Sequence, residues 1–293
     1  MKAVARPYLP NRTKETMTQN AVSLSPKRPV SLSLDSAELA ATYDQVSVRQ
    51  FNHGKILIAE LGLEQGERVL DIGCGTGRLG AYVADLVAPQ GEVVGIDPLP
   101  LRIDLAARKN PRFKASVGRA EDLSAFVDAS FDAAYANSVF HWVADKPKAL
   151  REALRVLKAG GRFAVNSANA DRQHQSAVLV REAVIEAGLS QADSADTAGV
   201  NYRVNAVELE RLLKDAGFRE IRVTPHTFVD EVSGADDVFA WSKSSSFGNF
   251  LSDLEPAQLS RVRDRLSHKL EALRTSAGIQ LERHLVFATA RKA

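Results

Sequence analysis

Hydrophobic residues follow two different rhythms along this chain. Short apolar runs rich in valine, isoleucine, phenylalanine and alanine alternate with segments whose apolar residues recur every three or four positions. The first rhythm indicates buried strands and the second indicates amphipathic helices. The candidate strands are 68–73, 92–97, 113–118, 131–137 and 161–168, and the candidate helices between them are 79–86, 101–109, 123–126 and 149–157. Strands that alternate with helices predict βαβ units and a largely parallel sheet.

The region before this alternation has a pattern of its own. Residues 36–61 carry apolar side chains at helical spacing and are followed by Gly62, so we predict a helix that ends there. Residues 1–34 contain four prolines among polar residues and are predicted to form a disordered tail.

The rhythm changes after residue 170. A helix is predicted over 176–187, and another between Asn205, a plausible N-cap, and Gly217, a plausible C-cap. The pattern then predicts a sixth strand over 219–229 and a last strand over 283–292.

The segment between the last two predicted strands is mostly helical. It includes the aromatic sequence "VFAWSKSSSFGNFL" at 238–251. We therefore expect a helical cap, 234–279, inserted before the last strand of a core formed by 35–233 and 280–293.

Charge is distributed unevenly along the chain. Residues 1–34 carry six basic side chains and one acidic side chain, although the whole chain has a formal net charge of +2. The remainder therefore has a balance of −3, which does not favour a nucleic-acid-binding surface. No apolar run approaches the roughly 18 residues that cross a bilayer, so no membrane partner is expected. With no secretory signal pattern and a single cysteine, Cys74, a reducing cytoplasmic location is expected.

The stretch "VLDIGCGTGRLG" at 69–80 contains two glycine patterns. Gly73, Gly75 and Gly77 form G-x-G-x-G, whereas Gly75, Gly77 and Gly80 form G-x-G-x-x-G, a spacing typical of dinucleotide sites. Glycine lacks a Cβ and adopts positive φ angles, so either pattern lets a ligand approach the backbone after the first strand. The glycine pattern alone does not decide whether the ligand is a dinucleotide such as NAD or a different nucleotide-like cofactor.

Two aspartates narrow the choice of cofactor. Asp97 ends the second predicted strand, where its two oxygens match the vicinal hydroxyls of a ribose in either cofactor. Asp71 lies two residues before the first glycine, where a carboxylate would repel a pyrophosphate but attract a cationic amino acid moiety. This charge favours S-adenosylmethionine over NAD.

Five segments together resemble a known family. They are "VLDIGCGTGRLG", "VVGIDP", "AEDL", "FDAAYANSVFHWV" and "ALREALRVLKAGGRF", and they resemble the class I S-adenosylmethionine-dependent methyltransferases over roughly residues 43–168. The resemblance implies an α/β, Rossmann-like doubly wound fold with a mostly parallel seven-stranded sheet and an antiparallel last strand. Within the family, "ANSVFHWVAD" is most similar to small-molecule carboxyl methyltransferases of the trans-aconitate and malonyl-carrier-protein types.

The resemblance implies roles for particular residues, with S-adenosylmethionine as cofactor. The implied cofactor-binding residues are Asp71, Gly73, Cys74, Gly75, Gly77, Asp97, Pro98, Leu99, Ala120, Glu121 and Asn137. One position departs from the family pattern: Arg119 stands where relatives often carry an acid that binds the adenine amino group. Glu121 or Asp122 is the expected substitute. Gly80 is then expected to be a helix-packing residue.

Residues for the chemical step are harder to choose. His141 follows the fourth strand, at the edge of the sheet where ligands bind, and is the best candidate for a general base. Its alternative role is to hydrogen-bond in the loop or to contact the substrate without proton transfer. The other histidines are scattered and lack metal-ligand spacing, so no metal is expected. The candidate substrate-pocket residues are Tyr43, Gln50, His141, Trp142, Tyr202, Arg203, Trp241 and Phe247.

Several functions are compatible with these patterns. The leading hypothesis is methyl transfer to oxygen, nitrogen or sulfur of a small molecule, with a carboxylate or hydroxyl favoured and with S-adenosylhomocysteine as product. The alternative is a methyltransferase that acts on tRNA or protein through the basic tail. An NAD-dependent oxidoreductase and a binding-only protein are the remaining classes.

Overall fold

A computed structural model describes residues 35–189, 202–244 and 254–293. The predicted tail, 1–34, and the candidate pocket residue Phe247 lie outside these ranges. Within them, the chain forms an α/β fold around one sheet.

The seven strands lie in the order β3-β2-β1-β4-β5-β7-β6. Strands β1 to β5 are parallel to one another, and β7 runs antiparallel between β5 and β6. The strands are β1 (Arg68–Ile72), β2 (Glu92–Asp97), β3 (Phe113–Val117), β4 (Phe131–Ala136), β5 (Leu157–Ala168), β6 (Arg219–Val232) and β7 (Ile279–Arg291). The order reverses between β1 and β4, which is where open α/β sheets bind ligands.

Helices cover both faces of the sheet and its ligand-binding edge. They are α1 (Ala37–Val46), α2 (Val48–Leu61), α3 (Arg78–Leu86), α4 (Pro100–Ala106), α5 (Lys146–Val156), α6 (Gln175–Glu186), α7 (Ala206–Ala216), α8 (Ala235–Ser244) and α9 (Pro256–Glu271). A short 3-10 turn, Phe140–Trp142, follows β4. The predicted fold class is confirmed, including the mostly parallel sheet and the antiparallel last strand.

Three local predictions were wrong. The helix expected over 36–61 is divided at Ser47 into α1 and α2. The helix predicted over 149–157 ends before Leu157. Strand β5 begins at that residue, because Leu157 pairs with Phe131 of β4. Residues 123–126 form turns instead of a helix. Their backbone groups bond to α5, since Leu123 N–H donates to Glu152 and Arg155 donates to the carbonyls of Leu123 and Phe126.

Helices α8 and α9 lie between β6 and β7, in the segment where the cap was expected. Their apolar sides pack with α6 and with the outer ends of β6 and β7 in one buried cluster. Helix α1 also contacts α8. The N-terminal helices and the helices before β7 therefore meet above the carboxyl edge of the sheet.

Phe113 of β3 packs tightly between the glycine loop, α3 and β2. A Cβ placed on Gly80 of α3 would lie 2.4 Å from the Phe113 ring, and one on Gly95 of β2 would lie 2.5 Å from it. The ring is buried and is enclosed by glycines on both sides, so it has no space into which it could move. Gly80 thus serves the packing of α3 on the sheet.

We expect Gly80→Ala to lower the free energy of unfolding by about 1–3 kcal/mol, because overpacking at Phe113 outweighs the better helix propensity of alanine. Urea denaturation measures this change. Gly234→Ala is the matched control, since nothing lies within 4 Å of a Cβ at Gly234. Equal stability of the two variants would contradict the packing role of Gly80.

Candidate functional site

The glycine loop after β1 is held in one conformation by β2. Gly73, Gly75 and Gly77 have φ angles of 78°, 54° and 78°, in the left-handed region that favours glycine. The N–H groups of Gly73 and Cys74 both donate to the carbonyl of Ile96, at 2.7 and 2.9 Å. Gly73 and Gly75 both line the cavity at the carboxyl edge of the sheet; a Cβ on Gly73 would collide with Val139 at 2.2 Å, whereas Gly75 leaves bare backbone that a ligand can approach.

Asp97, at the end of β2, connects this loop to the next one. Its Oδ2 accepts a hydrogen bond from Gly75 N–H and its Oδ1 accepts one from Leu99 N–H, each at 3.0 Å. A carboxylate has about four acceptor positions, so about two remain for a ligand. Burial raises the pKa of Asp97, and the positive charge of Arg102 opposes that rise.

Asp71 is a second buried carboxylate on the same side of the loop. It accepts a hydrogen bond of 2.7 Å from the hydroxyl of Tyr135. Burial raises the pKa of Asp71 to about 7, the Tyr135 hydrogen bond opposes this rise and the charge of Asp97 adds to it. Within the described ranges, Asp71 forms no ion pair with a basic side chain. A cationic ligand group beside it would restore its ionised form.

Helices α1 and α2 cover the loop. The ring of Tyr43 stacks on the guanidinium of Arg102 at 4.0 Å, and a Cβ on Gly75 would lie 3.4 Å from the Tyr43 ring. Asn137 Nδ2 donates to the backbone carbonyl of Gln50 at 3.0 Å. The side-chain Oε1 of Gln50 is buried and accepts no hydrogen bond from a described residue, which leaves an acceptor available at the cavity wall.

One cavity, partly open to solvent, extends from this loop to the helices before β7. Residues at its first end are Gly73, Gly75, Asp97, Pro98, Arg102, Gly118, Arg119, Ala120 and Glu121. Residues toward its other end are Arg49, His53, His141, Trp142, His174, Trp241, Arg283 and Leu285. We call these the loop end and the cap end.

The hydrogen bonds of His141 determine which of its nitrogens carries the proton. Its Nδ1 accepts from the backbone N–H of Ala168 at 3.2 Å, so the neutral ring carries its proton on Nε2. Burial lowers the pKa of His141 to about 3, and the nearby charges of Arg203 and Lys146 add to this effect. Because Nδ1 of His141 already accepts a hydrogen bond and the ring is neutral, His141 is better suited to donate a hydrogen bond from Nε2 than to act as a general base.

Comparison with known proteins agrees with this architecture. Residues 70–165 match the methyltransferase domain family. A 37.1 kDa protein in transposon TN4556 of Streptomyces fradiae is 29% identical over 66% of this chain and 56% of its own length. Trans-aconitate 2-methyltransferase of Deinococcus radiodurans is 28% identical over 70% of this chain and 79% of its own. The O-methyltransferase cnsE of Penicillium expansum is 34% identical over 58% and 60%. This chain thus spans a little over half of two of these relatives.

Solved structures share the fold. The YcgJ protein of Bacillus subtilis has a TM-score of 0.56 at 18% identity and covers 82% of this chain and 98% of its own. Phosphoethanolamine N-methyltransferase 2 of Haemonchus contortus, solved with S-adenosylhomocysteine, has a TM-score of 0.56 at 18% identity, over 88% of this chain and 57% of its own.

Residues 70–165 form a domain of the methyltransferase family.

S-adenosylmethionine is the cofactor expected for a methyltransferase domain. The residues at the loop end fit its chemistry. Asp71 is a buried carboxylate without a cationic partner in the described chain, and the cofactor carries a cationic methionine moiety. Asp97 retains acceptor positions for ribose hydroxyls. Bare backbone at Gly75, which lines the cavity, allows a ligand to approach closely.

The cavity brings together most of the residues predicted for the two ligands. Of the predicted residues, the cavity is lined by Tyr43, Gln50, Gly73, Gly75, Asp97, Pro98, Ala120, Glu121, Asn137, His141, Trp142 and Trp241. Asp71 and Cys74 line an adjoining pocket under Tyr43 and Asn137. Arg119 is the residue that departs from the family pattern. Glu121 lines the cavity, and its Oε2 lies 3.9 Å from Nε of Arg119. Asp122 instead accepts a hydrogen bond from Ser124 N–H.

Four predicted residues line neither the cavity nor the adjoining pocket. Gly77 begins α3 and packs on Ala106 and Phe113. Leu99 is buried, and its N–H donates to Asp97. Tyr202 lies over the ammonium of Lys146 and its N–H donates to the carbonyl of His141. Arg203 is half-buried near His141 and lowers the pKa of that ring. All four support the site from outside its walls.

The residues that the sequence analysis missed lie at the cap end. They are Arg49, His53, His174, Arg283 and Leu285, together with Arg102 near the loop end. They come from α2, the start of α6, β7 and α4. No spacing in the sequence connects them, because only the tertiary structure brings these elements together. In the described residues, no group of three or more histidine, cysteine or acidic side chains could hold a metal, and no helix there could span a membrane.

The pKa of Asp71 predicts a pH dependence of cofactor binding. Binding of a cationic methionine moiety favours the ionised carboxylate, so affinity should fall as the pH falls through about 7. We expect S-adenosylhomocysteine to bind about tenfold more weakly near pH 6 than near pH 8. Calorimetry in buffers of different ionisation enthalpy should show release of about one proton near pH 6.

Asp71→Asn is the matched control for this experiment. It preserves the size of the side chain and an acceptor for Tyr135, and it should bind more weakly near pH 8 with no pH dependence. If the variant kept the slope of the wild-type protein, another group would be responsible for it.

Proposed function

We propose that this chain transfers a methyl group from S-adenosylmethionine to a small-molecule acceptor enclosed at the cap end of the cavity. The observation that carries this proposal is the continuity of the cavity between the glycine loop and the cap end. The described lining comes from the sheet edge, α2 and α8, so an acceptor there would contact protein on several sides. A concave site of this kind suits a small molecule better than a polymer.

Methyl transfer to such an acceptor is an in-line displacement. The cofactor supplies a methyl group on a positively charged sulfur when it is bound. In this displacement the acceptor's lone pair would form the new bond to the methyl carbon, and the electron pair of the carbon–sulfur bond would return to sulfur to give S-adenosylhomocysteine. The protein's contribution is to align the two reactants and to exclude water. Tyr43 and Gln50 line the cavity, which supports a role for them in excluding water.

The state of His141 bears on which atom is methylated. Its Nδ1 is occupied by Ala168 N–H, and its pKa is lowered to about 3 by burial, so it is a poor proton acceptor at neutral pH. An anionic oxygen such as a carboxylate needs no base, and a hydroxyl can lose its proton to water late in the reaction. Oxygen acceptors of these two kinds are therefore favoured, and the similarity to trans-aconitate 2-methyltransferase supports them.

Methyl-labelled S-adenosylmethionine offered with a cell extract tests the size of the acceptor. We expect label in the small-molecule fraction, and we expect a protein lacking residues 1–34 to give the same result. Asp97→Ala serves as the control, because it removes the carboxylate that holds Gly75 and Leu99 and should lower labelling at least about tenfold. Label on RNA or protein that disappears with the tail would support the alternative function and contradict this proposal.

The role of His141 is tested by Asn substitution. The asparagine Oδ1 can accept from Ala168 N–H in place of Nδ1, so the loop should be preserved. We expect His141→Asn to lower kcat less than about tenfold, with an unchanged pH profile between about pH 6 and 8 at saturating cofactor, whereas loss of a general base typically costs about 10²–10⁴-fold. A loss in that range, together with loss of a limb in the pH profile, would show that His141 is a base.

A further inference from the structure

The cap end of the cavity contains a buried cluster of charges that the proposed reaction does not use. Arg283 of β7 is 6% exposed and lines the cavity. Its Nε donates to Asp230 Oδ2 of β6 at 2.6 Å, and its guanidinium lies over the ring of Trp241 at 4.7 Å. Arg49 of α2 approaches the other oxygen of Asp230 at 3.8 Å. We call these three charged residues the arginine pair and its aspartate.

The hydrogen-bonding capacity of Arg283 is only partly used. A guanidinium has five N–H donors, and among the described residues only the Nε–H of Arg283 is hydrogen-bonded to protein. The two Nη groups are thus available to a ligand in the cavity. Trp241 and Asp230 together fix the plane of the group, so its orientation is set before any ligand arrives.

The charges at this end do not cancel. Arg49 and Arg283 carry two positive charges and Asp230 carries one negative charge, which leaves one positive charge. The histidines at this end add none near neutral pH. Burial lowers the pKa of His53 to about 4 and of His141 to about 3, and it also lowers that of His174. Arg203 and Lys146, which lie near His141 outside the cavity wall, add to the positive potential, so an anionic group is favoured at this end.

Two of the neutral histidines also supply hydrogen-bond donors, both of them imidazole Nε2–H groups. Nδ1 of His174 accepts from the backbone N–H of His284 at 3.1 Å, just as Nδ1 of His141 accepts from Ala168. Each ring therefore carries its proton on Nε2 and is a donor at that atom. A cap end that offers guanidinium and imidazole N–H groups is suited to an acceptor rich in oxygen atoms.

We propose that Arg283, with Arg49 beside it, binds a carboxylate of the acceptor and that the methyl group is transferred to a different atom of the same molecule. A planar carboxylate matches the fork of a guanidinium, and its single charge matches the charge of the cluster. This inference rests on the proposed function, because it assigns the chemistry of the small molecule in that cavity.

The bound carboxylate itself is a poor methyl acceptor. Methylation would convert it to a neutral ester and remove the charge that Arg283 binds, so the interaction would weaken toward the transition state. An interaction that is stronger in the ground state than in the transition state slows the reaction. Arg283 therefore acts best as a positioning residue, with the reacting oxygen elsewhere on the molecule.

Matched pairs of compounds test this assignment. The purified enzyme and labelled S-adenosylmethionine are offered hydroxy acids and dicarboxylic acids, each beside its primary monoamide and beside a phosphate ester of similar size. We expect kcat/KM for the acids to exceed that for the amides by at least about 30-fold, mainly through KM. Simple monocarboxylic acids without a second nucleophile should not be labelled. Equal use of acids and amides, a preference for phosphate esters, or ester formation on simple monocarboxylic acids would each overturn the inference.

The decisive variant is Arg283→Met with Asp230→Asn. The pair removes both charges of the ion pair, so no buried carboxylate is left beside an apolar side chain. We expect it to abolish the preference for acids over amides while its affinity for S-adenosylhomocysteine stays within about twofold, since the cofactor residues are untouched. Retention of the preference would show that Arg283 does not bind the carboxylate and would overturn the inference.

Two further variants distinguish failure of this inference from failure of the proposed function. Arg172→Gln changes an exposed arginine that pairs with Glu282 outside the cavity, and it should leave the preference unchanged. If the double variant fails to bind S-adenosylhomocysteine, Arg283→Lys replaces it, and loss of the fork should raise KM for the acids about tenfold but not for the amides. An enzyme that labels only macromolecules would instead overturn the proposed function itself.

Discussion

The site depends on one carboxylate that is shared between two loops. Asp97 accepts hydrogen bonds from Gly75 in the loop after β1 and from Leu99 in the loop after β2. Through these bonds a single buried side chain sets the distance between the two loops that would hold the cofactor. The loop glycines allow backbone conformations with positive φ, and the hydrogen bonds of Asp97 hold the loop in one of them.

Buried charge is organised differently at the two ends of the cavity. In the pocket that adjoins the loop end, Asp71 has no basic partner among the described residues and the charge of Asp97 adds to the rise in its pKa, so this pocket favours a positive group. At the cap end, two arginines share one aspartate, so the site lacks a negative charge. Each end is thus complementary to a ligand of opposite sign, which separates a cationic cofactor from an anionic acceptor in one cavity.

The histidines at the cap end show how burial changes the meaning of a residue type. A histidine after β4 suggests a base in the sequence, because its unperturbed pKa is close to neutral. In the structure, backbone N–H groups occupy Nδ1 of both His141 and His174, and burial lowers both pKa values. These rings are then neutral donors, and their chemistry resembles that of an amide more than that of a catalytic base.

The sequence by itself determined the fold class, the glycine loop and the two aspartates at the strand ends. These features are local, since strand and helix periods and the spacing from Gly73 to Asp97 are set within single βαβ units. Only the tertiary structure decided the cap end. Arg49, His174 and Arg283 are far apart in the chain and meet because β7 inserts antiparallel between β5 and β6. Burial and partner geometry, which no spacing encodes, then set their charges and their roles.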